Sequence, residues 1–202
     1  MLRSAGIGSS ERVAIVLPNG PEMATAFITV AQSATTAPLN PAYKEDEFSF
    51  YLEDLKARAI IVEAGYAGPA RAAADRFGMT VIELNSGEKA GQFTLATETV
   101  RNAVDANPTA DDIALILHTS GTTSRPKIVP LLQSNIAASA QNIRVSLALT
   151  PDDCCLNVMP LFHIHGLLAA VSASLAAGAS ISCAPGFDAL KFYGWLEEVD
   201  PS

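Results

Sequence analysis

The sequence predicts an α/β fold, a largely parallel sheet flanked by helices, and three observations lead there. Short apolar runs bounded by turn residues alternate with helix-length amphipathic stretches, the pattern of βαβ units. Residues 12–17 and 113–117 are almost continuously apolar, as buried strands are. With 49% apolar and 17% charged residues among 202, the chain is globular in composition and long enough for one sizeable core or two small ones.

Taken in order, residues 12–17 form a strand, and Asn19-Gly20-Pro21 turns the chain into a helix running to about Ser33. Residues 35–39 are a second strand, closed by Asn40-Pro41. Residues 44–56 place Phe48, Tyr51, Leu52 and Leu55 at i, i+3, i+4 and i+7, an amphipathic helix. A strand at 59–62, a helix at 67–76 and a strand at 80–84 follow, after which residues 85–112 read as a polar surface excursion. The strand at 113–117 delivers the chain into a Ser/Thr/Gly loop. Ser134 then reads as the N-cap of a helix to about Leu149. A strand at 156–159, a small-residue helix at 166–177, a strand at 180–183 and a helix at 188–199 complete the pattern.

The formal charge of −8 argues against a nucleic-acid surface, which needs clustered Lys and Arg to displace counterions. Cys154, Cys155 and Cys183 match neither a disulfide framework nor a metal pair, and read as thiols of a reducing, cytoplasmic compartment. Residues 154–187 carry no Asp, Glu, Lys or Arg, but Pro160, Gly178 and Pro185 interrupt the run. No stretch approaches the ~20 apolar residues of a membrane span.

The run His118-Thr119-Ser120-Gly121-Thr122-Thr123-Ser124-Arg125-Pro126-Lys127 is the most informative feature. A small-residue loop after a buried strand can aim several backbone N–H groups into one concavity that attracts phosphate oxygens. Its hydroxyls add donors and Lys127 a compact charge. It is not the loop that feeds a Lys-Ser/Thr pair straight into a helix N-terminus, because Pro126 and Pro130 flank Lys127 and the next helix starts later. On residue types alone, a Ser/Thr-rich turn is the plainer reading.

The string itself resembles the phosphate loop of the adenylate-forming superfamily of acyl-CoA synthetases, peptide-synthetase adenylation domains and luciferases. Its companions RVAIVLPNGPE at 12–22, APLNPAY at 37–43 and PLFHIHGL at 160–167 fall in that family's order. The forms TSGTTSRPK and PLFHIHG are similar to the oxalate–CoA ligase branch. Ile128 departs from that branch, which has Gly there. A β-branched residue tolerates positive φ poorly, so a left-handed backbone at 128 would hamper the loop's closing.

The resemblance implies that Thr119, Ser120, Gly121, Thr122, Thr123, Ser124 and Lys127 hold the ATP phosphates. It also implies that His163, His165 and Gly166 line the acyl pocket, where imidazoles can donate hydrogen bonds to a small dicarboxylate. The residues themselves leave open a strand-to-helix turn whose histidines are satisfied by backbone. The cofactors implied are ATP, Mg²⁺ and coenzyme A, and the partner is a small-molecule carboxylate.

In relatives the acidic residue for Mg²⁺, the Asp for the ribose and the Lys of a mobile second domain lie beyond the position matching Ser202. Residues 1–202 are therefore expected to be part of the large N-terminal AMP-binding domain, without the rest of that domain or the small C-terminal one. No catalytic group is assigned within them. Alone, the chain is expected to be inactive and to self-associate through an exposed apolar face. The alternatives are a non-catalytic nucleotide- or acyl-binding module, and an adenylation domain using another acceptor.

Overall fold

The computed structural model describes residues 1–104, 107–119 and 126–202. Nine strands are described: β1 (Arg12–Val16), β2 (Thr35–Pro38), β3 (Ala59–Glu63), β4 (Thr80–Ser86), β5 (Phe93–Ala96), β6 (Ile113–His118), β7 (Ile128–Leu132), β8 (Cys154–Asn157) and β9 (Ser180–Cys183). The first seven form one sheet in the order β5-β4-β3-β1-β2-β6-β7, and β8 and β9 form a second. The five inner strands of the large sheet are parallel, while β5 and β7 close its two sides antiparallel.

The connections explain why both faces are apolar. From β1 the chain moves one way to β2 through α1 (Pro21–Ala31). It then moves the other way to β3 and β4 through α2 (Glu45–Leu55) and α3 (Pro69–Arg76). Right-handed crossovers put helices reached in opposite directions on opposite faces. Val13, Ile15 and Leu17 accordingly pack with Met23, Phe27 and Val30 of α1. The alternate residues Ala14 and Val16 pack with Phe48, Leu52 and Leu55 of α2 and Ala70, Ala73 and Ala74 of α3. Phe27 and Phe48 are fully buried, one on each side. Replacing either with Ala should cost about 3–5 kcal/mol in lost burial and cavity.

Between β2 and β6 only Thr36 and Leu115 pair in the ladder. Two hydroxyls reinforce the junction: Thr35 Oγ1 donates to the Ile113 carbonyl at 2.7 Å and Thr36 Oγ1 to that of Ala114 at 2.8 Å. These threonines can be buried because their polar atoms are satisfied.

Two strands lie where the sequence reading has none. Residues 85–112 contain β5, whose Phe93 and Leu95 pack on the core while Thr94 and Ala96 face outward. β7 contains Pro130, which an edge strand tolerates because no inner neighbour needs its missing N–H. The helix α4 (Gln133–Ser146) begins one residue before Ser134, and Asn135 Oδ1 accepts the Leu132 N–H at 2.9 Å at its start. The segment expected as one helix from Gly166 is π-helical over His165–Ser172 and becomes α-helical as α5 (Ala173–Ala177). The last helix, α6 (Phe192–Val199), starts late because Asp188 Oδ1 accepts the Leu190 and Lys191 N–H groups in a turn. No helix among the described residues is long and apolar enough to cross a membrane.

Candidate active site

The carboxyl ends of β1, β2 and β6 meet at one rim of the sheet, where neighbouring strands send their following elements to opposite faces. That crevice is where open α/β sheets bind ligands. β6 ends at His118, which pairs antiparallel with Ile128 at the start of β7, so Thr119 and Lys127 flank the Ser/Thr/Gly run where the two strands meet. Its root is clasped twice. The Thr119 N–H donates to the Lys127 carbonyl at 2.9 Å, and the Lys127 N–H donates to Thr119 Oγ1 at 3.1 Å.

The expected phosphate donors Ser120, Gly121, Thr122, Thr123 and Ser124 lie outside the described residues. Thr119 and Lys127 are both exposed at the loop's root. The five residues of β7 separate that root from α4, a span of about 16 Å at ~3.3 Å per residue. The N-terminus of α4 therefore does not stand directly behind the loop's root, and Lys127 is the cation nearest to it in sequence among the described residues.

Ile128 pairs with His118 in ordinary extended backbone and packs on the core beneath α2. Among the described residues the non-glycine positions with positive φ are Lys56, Ala148 and Asp200. The strain expected for a left-handed residue at 128 does not arise in this conformation, because the branched side chain sits in a strand, where it is favoured.

A cleft of about 610 Å³ opens at this rim. Leu117, His118, Thr119 and Pro126 line it from the hairpin, Tyr43 and Tyr51 from α2 and the turn before it, and Phe162, His163 and Ile164 from the segment after β8. The cleft thus brings Thr119 and His163 together. His165 and Gly166 are not among its lining residues. His165 is exposed at the start of the π-helical segment, and Gly166 is buried against Pro160. A Cβ added to Gly166 would meet the Pro160 carbonyl oxygen at 2.6 Å. This close approach is why Gly is needed there.

Sequence reasoning assigned no role to His118, whose imidazole is 7% exposed. Its Nε2 lies 3.1 Å from Asp54 Oδ2, and its ring turns an edge to Tyr51, which stacks on Tyr43. Burial pushes the imidazole below its ordinary pKa, opposed in part by the hydrogen bond to Asp54 and by its charge. Burial, then the hydrogen bond with Tyr51, drives the Tyr43 phenol well upward. The same cleft that His163 lines is thus also lined by two tyrosines and by a histidine whose burial favours its neutral form. The signal available in the sequence was Tyr51 and Asp54 three residues apart on α2, but nothing local links them to position 118.

Among the described residues no group of three His, Cys, Asp or Glu converges to hold a metal. None of them is assigned to Mg²⁺.

The model of the AMP-binding enzyme family matches residues 1–202. The chain belongs to the AMP-binding enzyme family. Its relatives within that family include oxalate–CoA ligase of Arabidopsis thaliana, 38% identical over 200 residues that cover 96% of this chain and 39% of that protein. The oxalate–CoA ligase of Saccharomyces cerevisiae is 38% identical over 211 residues, covering 91% of this chain and 38% of its own. Among solved structures, ATP-bound MatB from Rhodopseudomonas palustris superposes with a TM-score of 0.80 at 25% identity, covering 98% of this chain and 40% of that one. This AMP-binding chain spans about two fifths of the length of these relatives.

Proposed function

We propose that these residues belong to a carboxylate–CoA ligase and supply its ATP-phosphate loop and one wall of its acyl pocket. In that reaction a carboxylate oxygen attacks the α-phosphate of ATP and pyrophosphate leaves. The thiol of coenzyme A then attacks the acyl-adenylate, and AMP departs. Both substrates of the first step are anions, so the step depends on donors that offset charge and on alignment. The observation that carries the reading is the single cleft lined by Thr119 at the loop's root and by His163. Ser120, Gly121, Thr122, Thr123, Ser124 and Lys127 would cradle the pyrophosphate half of ATP. His163, with His165 behind it, would receive the carboxylate, and Gly166 lets the turn that carries them close. Residues 1–202 would be part of the large N-terminal domain, and Mg²⁺ would enter with the nucleotide without a ligand assigned here.

For the acid we favour a short dicarboxylate, oxalate first. Two relatives named oxalate–CoA ligases support it, as do the TSGTTSRPK and PLFHIHG strings. The test is ATP–pyrophosphate exchange by the full-length protein with a panel of carboxylates. Preference for oxalate or another two- to four-carbon diacid is the expected result. Preference for long acyl chains would sink the substrate class and leave the ligase standing. No exchange with any acid, alongside ATP binding, would favour a nucleotide-binding module instead.

A further inference from the structure

We propose that Asn19 is a positioning residue that hangs the His163-bearing segment from the large sheet, so that its amide sets where the carboxylate sits. The proposal rests on the ligase reading above and adds a specificity-determining contact to the same site.

Asn19 follows β1, and both ends of its side chain are used. Its Oδ1 accepts the Leu161 N–H at 2.7 Å, and its Nδ2 donates to the Ala184 carbonyl at 2.7 Å. The partners lie 142 and 165 residues away, one before the π-helical segment and one just after β9. A single amide thus joins the large sheet, the cleft segment and the exit of the small sheet.

The bonds sit beside an apolar cavity of about 150 Å³ lined by Leu17, Met23, Leu39, Leu161 and Pro185 among others. In such surroundings a hydrogen bond is stronger and an orphaned partner costs more than in water. Only a neutral amide offers one acceptor and one donor at this spacing, since a carboxylate would face the Ala184 carbonyl with a second acceptor.

The segment beyond the latch is short and internally tied. The Pro160 carbonyl accepts the His163 N–H at 3.2 Å, and the His163 carbonyl accepts the Leu167 N–H at 3.2 Å. Gly166 packs on that same Pro160 oxygen. Fixing the Leu161 N–H therefore fixes the turn that carries His163 on the cleft wall. The hairpin root at Thr119 and Lys127 shares none of these bonds. Loosening the latch should disturb the handling of the carboxylate and leave that of ATP alone.

The test uses the full-length protein with Asn19→Leu, which keeps the branching of the side chain but carries no polar atoms, and Asn19→Asp, which keeps the acceptor and loses the donor. His163→Ala is the reference. Pyrophosphate exchange gives KM for ATP and for the carboxylate, and amide hydrogen exchange follows residues 161–166. We expect Asn19→Leu to raise the carboxylate KM about tenfold with the ATP KM within about twofold, and Asn19→Asp to fall between. Protection at the Leu161 amide should drop in Asn19→Leu while the β1 and β3 amides keep theirs. A carboxylate KM unchanged in both variants, or moving in step with that of ATP, overturns the proposal. If Asn19→Leu raises the carboxylate KM but His163→Ala does not, the latch stands and the role given to His163 fails. If the wild-type protein exchanges no pyrophosphate, the ligase reading fails. The latch is then judged on the Leu161 amide alone, lost protection supporting it and retained protection overturning it.

Discussion

His118 and Asp54 meet across the boundary between the large sheet and α2, with Nε2 3.1 Å from Oδ2. This contact joins β6, the strand that leads into the Ser/Thr/Gly run, to α2, the helix packed beside it. The aromatic edges of Tyr51 and Tyr43 continue the same wall. A neutral His118 donates its Nε2 proton to Asp54, and burial favours that neutral form over the ordinary value of 6.5.

The first prediction follows from that direction. Because the folded pKa lies below 6.5, the unfolded chain binds more protons at this site between the two values. Stability from His118 is therefore complete above about pH 6.5 and declines as the pH falls through the folded pKa. An NMR titration of the His118 ring should give a midpoint below 6.5 in the wild-type protein. It should fall further in Asp54→Asn, which removes the charge that opposes burial. A midpoint at or above 6.5 would show that Asp54, and not burial, dominates.

Lys127 gives a sharper test of the loop. Both of its hydrogen bonds to Thr119 use its main chain, so Lys127→Ala keeps the clasp and removes only the exposed ammonium. The melting temperature should stay within about a degree, as for other exposed substitutions. In the full-length protein the ATP KM should rise, or the exchange rate fall, at least about tenfold, ~1.4 kcal/mol. Unchanged kinetics would take Lys127 out of the phosphate site.

The parallel core was legible because both of its faces are covered. Strands such as β1 and β3 then become short, nearly continuous apolar runs, rich in Ile and Val and bounded by turn residues. The amphipathic stripe of α2 was legible for the complementary reason, one covered face. What escaped were the closing strands, for opposite reasons. β5 is four residues long amid Gly, Ser and Glu, and β7 carries a proline that argues against a strand unless its edge position is already known. Of the site, PLFHIHG was visible as a string. The His118–Asp54 and Asn19–Leu161 contacts were not, because they join residues 64 and 142 positions apart. Such pairings belong to topology, which composition and spacing do not encode.

Ile128 bears on whether a departure from relatives is a handicap. It pairs with His118 and packs on the core, so Ile128→Gly removes apolar contact and frees the backbone at the loop's root. The expected cost is about 1–2 kcal/mol in chemical denaturation. Pyrophosphate exchange should not improve. An exchange rate several-fold faster in the glycine variant would mean that the isoleucine does restrain the loop.

Gly166 makes the last prediction, and its argument is steric. Its φ is not in the left-handed range, so alanine meets no backbone penalty there. The penalty is the 2.6 Å approach of a new Cβ to the Pro160 oxygen, with the Pro160 carbonyl carbon 3.2 Å away. Backbone cannot swing aside as a flexible side chain can, so Pro160 must move or the π-helical segment must shift. Overpacking of this kind costs about 1–3 kcal/mol. Because the Pro160 oxygen also accepts the His163 N–H, either adjustment should displace His163 from the cleft wall. Gly166→Ala should therefore lower stability by that amount and raise the carboxylate KM while sparing that of ATP. Gly166→Ser should behave the same way, since its Cβ occupies the same point. A Gly166→Ala protein as stable as wild type, to within about 0.5 kcal/mol, would mean that the segment yields freely and that the glycine is not what closes the turn.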